Sequence, residues 1–232
     1  TIWAGSLPFR HLGGIPASTW RGSRPDRAGN RPASARGASG KMLGMGTSVE
    51  PASDRVRLRR GANRAEYDRE AILRILDAGL VAHVGVATPD GPIVLPMAYG
   101  RTDEWLYLHG SVANALLRAA VGNDVCVTVT LVDGIVVGRC PFHNSMNYRG
   151  VVIRGVARRV EDPDEHRLAL RLISDHVVPT WDTAREPTPT EIRKTMVVAV
   201  PLVEMSAKVR QGDPVDEPED LDGPHWAGHV PI

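Results

Sequence analysis

The sequence predicts a mainly β (α+β) fold, a small antiparallel barrel with flanking helices. Three observations carry this reading. Apolar and polar residues alternate with a period of two in several short stretches between residues 80 and 205, which is the mark of half-buried strands. These stretches follow one another through turn residues such as Pro89-Asp90-Gly91, so sequence neighbours pair antiparallel. Helical periodicity intervenes too rarely for a doubly wound parallel sheet. The resulting order is helix, three strands, short helix, three strands, long helix, one strand and tail. A barrel of this kind closes its edges and leaves clefts at its openings.

A chain of 232 residues has room for one domain with a sizeable core. Its 28 basic side chains balance 27 acidic ones, which speaks against a nucleic-acid or membrane-surface partner. No apolar run is long enough to span a bilayer. The two cysteines, Cys126 and Cys140, read as reduced thiols of a cytoplasmic protein. Cys126 alternates with valines and reads as a small core residue.

Residues 1–52 are rich in Gly, Ser, Ala, Pro and Arg. This composition predicts a disordered extension, with a basic transit peptide as the alternative and Met42 or Met45 as a candidate start. The domain is expected over 53–232, including a tail at 206–232. Asn63 and Glu66 have capping-box spacing before a helix that carries Ile72, Leu73, Ile75 and Leu76 and stops at Gly79. Strands follow at 80–88 and 92–99. Pro96 lacks a ladder donor, which marks an edge, a bulge or an opening. The strand at 105–110 ends at His109-Gly110-Ser111, and a short helix then presents Leu116, Leu117 and Ala120. Strands are expected at 125–132, with Asp133-Gly134 as a turn, at 135–139, which leads into the polar stretch, and at 151–162, where Gly155 marks a bulge or a close approach. Asp162, Pro163 and Glu165 start the long helix. After a proline-containing loop with Trp181, the last strand is expected over 195–205.

Two polar breaks in this pattern point to a ligand. His109-Gly110-Ser111 opens a helix, where free N–H groups and the dipole favour an anion. Arg118 lies roughly two turns on, within possible reach of it. Ser111 serves equally well as a plain N-cap, and caps are far commoner than phosphate sites. His109 adds a group that titrates near neutral pH. The second break, 139–151, reads RCPFHNSMNYRGV. Asn144, Ser145, Asn147, Tyr148 and Arg149 supply donors of several shapes, and Arg149 suits bidentate binding of phosphate or carboxylate. A polar loop closing a barrel is the competing reading. Lys208 and Arg210 follow the last expected strand and either could neutralise an anion. His225 and His229 are four apart, but nearby Gly and Pro argue against a metal-binding helix, so no metal is assigned. Walker and dinucleotide fingerprints and paired zinc-type cysteines do not occur.

Taken together, YDREAILRILD, LPMAYGR, WLYLHGS, VCVTVTLVDG, FHNSMNYRGVVIRGVA, SAKVR and the terminal WAGHVP resemble the pyridoxamine 5′-phosphate oxidase-like flavoproteins of the FMN-binding split-barrel type. The closer likeness is to the flavin-nucleotide-binding branch that includes the nitroimidazole-resistance (Nim) reductases. The resemblance implies a split-barrel homodimer with FMN at the subunit interface. It implies that Leu95, Pro96, Met97, Ala98 and Tyr99 line the ring, with His109, Gly110 and Ser111 by the flavin and its phosphate side. Ser145, Asn147, Tyr148 and Arg149 would complete the pocket, and the cations Arg118 and Lys208, read from their own positions, join the cofactor-binding set. The chain departs from the pattern in having Asn144, Gly150 and Cys140 where a histidine and two serines are expected, and Leu116 in place of a lysine.

The expected function is an FMN-dependent oxidoreductase, of flavin reductase, oxidase or nitroreductase type. NAD(P)H is the candidate electron donor, and His109 and Tyr148 are the candidate proton donors. The alternatives are a non-catalytic flavin, deazaflavin or haem carrier of the same fold, and a dimeric scaffold with an empty cleft.

Overall fold

The structure, a computed structural model, describes residues 49–232. The reading of 1–52 as a disordered extension lies outside the described residues as far as residue 48. In chain order the elements are β1 (Ala65–Glu66), α1 (Arg69–Ala78), β2 (Ala82–Thr88), β3 (Gly91–Met97), β4 (Tyr99–Arg101), β5 (Trp105–Ser111), α2 (Ala115–Ala120), β6 (Asp124–Val137), β7 (Ser145–Val156), β8 (Arg158–Arg159), α3 (Pro163–Val177), α4 (Pro189–Lys194), β9 (Thr195–Pro201), β10 (Glu204–Arg210) and β11 (Gly228–Pro231).

The strands form two antiparallel sheets that do not close into one ring, which makes the fold a split barrel. The larger runs β1-β10-β7-β6-β2-β3, and β11 pairs with the end of β6 that β2 leaves free. The smaller runs β4-β5-β9-β8. Strand alternation sorts side chains between two cores. Leu106 and Leu108 of β5 face the main core with Val84, Val127, Ile153, α1 and α2, whereas Tyr107 joins Ala169 and Ile173 of α3 on the opposite face.

Several expectations hold with a physical reason. Pro96 lies on β3, an edge of the larger sheet, where a missing donor is harmless. Gly155 is a close approach: a Cβ there would sit 2.7 Å from Pro201 Cγ. Asp162 caps α3 by accepting from the N–H of Asp164 and of Glu165.

Other expectations are corrected. The first helix is capped by Asp68, not Asn63, because 62–66 makes a 3-10 turn and then pairs with β10 as β1. Asn114, not Ser111, caps α2. Asp133-Gly134 is a bulge inside one continuous strand, since β7 continues beside β6 past that point. The stretch 145–150 is therefore strand rather than loop. The single strand expected at 195–205 splits at Leu202 into β9 and β10, which belong to different sheets. Residues 206–210, read as tail, form the body of β10. Cys126 lies half-buried on the face opposite its valine neighbours. His229 is on β11, in keeping with the reading that Gly and Pro argue against a helix there.

Candidate functional site

β5 carries the two halves of the first candidate motif to different surroundings. Tyr107 and His109 point to the α3 side of the smaller sheet. There a cavity of about 430 Å³ opens between β5, α3, the 178–188 strap and α4. Ala98, Leu170, Ile173, Val177, Trp181 and Ile192 give it apolar walls, and His109 supplies the imidazole. Partial desolvation beside the cavity lowers the His109 pKa from the ordinary histidine value, although the residue keeps exposed surface. Its ring has no hydrogen-bond partner among the described residues.

The strap is built to stay in place. The Trp181 backbone N–H donates to Asp175 Oδ1 at 2.9 Å, and Arg171 donates to Asp182 at 2.5 Å. Thr188 and Glu191 form a complete capping box at α4. Arg185 donates to both Glu191 oxygens, at 2.9 and 2.6 Å. Arg185 and the Thr188 backbone together hold the Glu191 carboxyl down at about 2. Sequence reading missed this wall. Its traces were a tryptophan inside a proline-containing loop and a single helical turn expected at 191–194, because the loop has no periodicity to read.

The remaining expected site residues separate into groups. Leu95 and Pro96 are exposed on the edge strand, and Met97 and Ala98 are half-buried. Tyr99 is wholly buried, and its hydroxyl donates to the carbonyls of Leu76 at 2.5 Å and Gly79 at 3.0 Å. Its ring is thus a core element that closes the end of α1 and is withdrawn from any ligand. At Gly110 a Cβ would sit 3.0 Å from Leu117 Cδ1, so this glycine fits β5 against α2. Ser111 is exposed, and its oxygen accepts from Ala113 N–H at 3.2 Å. Arg118 is exposed in the last turn of α2. Leu116, where the resemblance expects lysine, is buried in the main core.

On β7, Ser145 is exposed and Tyr148 half-buried. Asn147 is buried and accepts through Oδ1 from Arg210. Arg210 is itself buried and also donates to the carbonyls of Gly212 at 2.7 Å and Asp213 at 3.0 Å. Both therefore fix the start of the tail. Arg149 donates Nε and Nη2 to Asp133, the bulge residue, which lowers the carboxyl of Asp133 through that hydrogen bond. Arg149 Nη1 has no partner among the described residues. Lys208 donates to the Arg60 carbonyl at 3.3 Å. Three strand spacings, about 14 Å, separate β3 from β7. The 430 Å³ cavity takes Ala98 and His109 and nothing from 145–149. One chain thus brings part of the expected set together and leaves the β7 donors on another surface.

The comparisons with known proteins agree with this architecture. The family described as pyridoxamine 5′-phosphate oxidase matches residues 68–209. The chain belongs to that family. It is 37% identical to the flavocytochrome Anf3 from Azotobacter vinelandii, covering 79% of this chain and 86% of that one, with a TM-score of 0.75. It is 30% identical to an FAD and haem binding protein from Mycobacterium smegmatis, covering 73% and 84%, with a TM-score of 0.69. A candidate 5-nitroimidazole antibiotic resistance protein from Bacteroides thetaiotaomicron is 28% identical over 62% of this chain and 86% of its own, with a TM-score of 0.52. A search of curated proteins finds no match. Among the described residues no three metal-ligating side chains cluster, and no helix is long and apolar enough to cross a membrane.

Proposed function

We propose that this chain is a flavin-binding redox protein that works as a homodimer and carries electrons from a reduced donor such as NAD(P)H to a small acceptor. The observation that carries the reading is the 37% identity over 79% of the chain to a flavocytochrome. FMN is the flavin the sequence resemblance implies, and FAD is the second reading, favoured by the M. smegmatis relative.

The donor set fits a flavin nucleotide. Ser111 and Ser145 are exposed hydroxyls, and the Tyr148 hydroxyl has no partner among the described residues. Arg118 has no carboxylate partner there, and Asp133 fixes the plane of Arg149 while Nη1 stays uncommitted. Such a set can take a phosphate and the polar edge of a ring. The β3 and β7 groups lie apart in one chain, which supports a site completed by a second subunit. When bound, the flavin supplies the hydride and electron chemistry. The chain's residues orient it, exclude water and, at the Tyr148 hydroxyl, hold a proton.

The test is flavin titration of the purified chain with Arg149→Ala beside it. The wild type should bind FMN or FAD, and the variant should bind at least tenfold more weakly. Equal binding by both would remove Arg149 from the site. Failure of the wild type to bind either flavin would overturn the reading.

A further inference from the structure

We infer that the cavity between β5, α3 and the 178–188 strap, together with the cationic hollow beside it, seats the nicotinamide mononucleotide half of a pyridine nucleotide, with the ring in the cavity and the phosphate on the arginines. This rests on reading the protein as a flavin-binding redox protein with NAD(P)H as its electron donor, and adds where that donor binds.

One face of α3 carries both chambers. Leu170, Ile173, Ser174 and Val177 line the cavity, and His166, one turn earlier, lines a hollow that shares Ile192 and Thr195 with it as walls. The two therefore adjoin along the helix. His166 and Ser174 lie eight residues apart on α3, which is about 12 Å at the helical rise. A nicotinamide ring and its pyrophosphate can span that distance. Ala98, which the family resemblance places along the flavin ring, is also a wall of the cavity. The seat thus borders the stretch expected to hold the flavin.

The cavity offers what a flat ring with one polar substituent needs. Its walls are largely aliphatic with Trp181 among them, and its volume lies in the range of small-molecule sites. Several polar groups at its rim are already committed. The Thr195 hydroxyl donates to the Glu191 carbonyl at 2.9 Å, and Thr180 donates to the Val178 carbonyl at 3.3 Å. Glu191 accepts from Arg185 and Thr188. The side chains of His109 and Ser174 have no hydrogen-bond partner among the described residues, and an imidazole with a hydroxyl can serve both the donor and the acceptor of a carboxamide. The hollow supplies the charge. Arg159 and Arg193 outnumber its one acid, Glu161. Neither arginine has a carboxylate partner among the described residues; Arg193 donates to the Thr190 hydroxyl at 3.0 Å. Such guanidinium groups suit a phosphate, which they can meet through paired N–H groups. A neutral aromatic acceptor would fill the apolar chamber and leave the arginines idle, whereas a nicotinamide nucleotide uses both.

The experiment titrates the full chain with NADP⁺ and with nicotinamide mononucleotide, followed by calorimetry and by tryptophan fluorescence, while flavin binding is titrated separately. Both nucleotides should bind at one per chain, and binding should weaken as salt is raised. Arg159→Ala with Arg193→Ala should weaken both at least tenfold and leave flavin affinity unchanged. Arg74→Ala, which removes an exposed arginine of α1, should match the wild type and control for net charge. Trp181→Phe should lose most of the fluorescence response while keeping the calorimetric affinity. Flavin binding without binding of either nucleotide at millimolar concentration would overturn the seat alone. Nucleotide binding by a chain that takes no flavin would overturn the flavin reading alone. Unchanged affinity in the double arginine variant would overturn the phosphate seat. Binding of adenosine 2′,5′-bisphosphate without binding of nicotinamide mononucleotide would overturn the ring seat.

Discussion

At the scale of single residues, the account depends on which side chains are already committed. Tyr99 is the clearest case. Its sequence neighbourhood reads as ligand-lining, yet its hydroxyl serves two carbonyls at the end of α1, and His176 approaches the same Gly79 carbonyl at 2.6 Å. Tyr99→Phe should cost about 1–3 kcal/mol in urea unfolding, the penalty for buried acceptors left short of a donor, and should leave flavin affinity unchanged. A large loss of flavin with little loss of stability would return Tyr99 to the site. Glu191 offers a pH test. Its folded pKa of about 2 lies below the ordinary 4.5. Its contribution to stability is therefore complete above about 4.5 and is lost as pH falls toward 2. An NMR titration of the Glu191 carboxyl should show the low midpoint, and Arg185→Gln should move it upward. An unchanged midpoint in the variant would remove Arg185 as its cause. Residue type alone marked His109, Tyr148 and Arg149 as candidates. It could not show that Asn147 and Arg210 satisfy each other, because that pairing depends on the register of β7 against β10.

At the scale of elements, the site exists because α3 lies close against the smaller sheet. Gly100 makes this possible: a Cβ there would fall 2.5 Å from the backbone of Leu172 and of Ile173. Gly100→Ala must push α3 away, costing about 1–3 kcal/mol by overpacking and deforming the cavity behind His109. Thermal unfolding should come at a lower temperature, and a variant as stable as the wild type would contradict the packing described. Period and capping signals made α3, β2, β5 and the second half of β7 legible in the sequence. The β9–β10 boundary was not legible, because Pro201-Leu202-Val203 continues an apolar run while the chain changes sheets. The Asp133-Gly134 bulge was hidden for a related reason. Turn residues also serve bulges, and only the partner strand decides between the two.

At the scale of the whole molecule, two sheets that do not close leave the β7 donors and the β3 edge on exposed surface. Apolar side chains lie near both, with Val132, Ile135 and Met146 exposed by 41%, 43% and 45%, and Val94 by 61%. Surface of this kind suits a second subunit. Light scattering of the purified chain should give twice the monomer mass of 25.1 kDa, and Ile135→Lys should shift it toward monomer and weaken flavin binding. A monomer that binds flavin as well as the dimer would remove the shared site. The most direct test is the absorption spectrum of the purified full-length chain, followed by mass analysis of the nucleotide it releases. The account predicts flavin bands and recovery of FMN or FAD near one per chain. A colourless protein that stays colourless with excess FMN and FAD would contradict it.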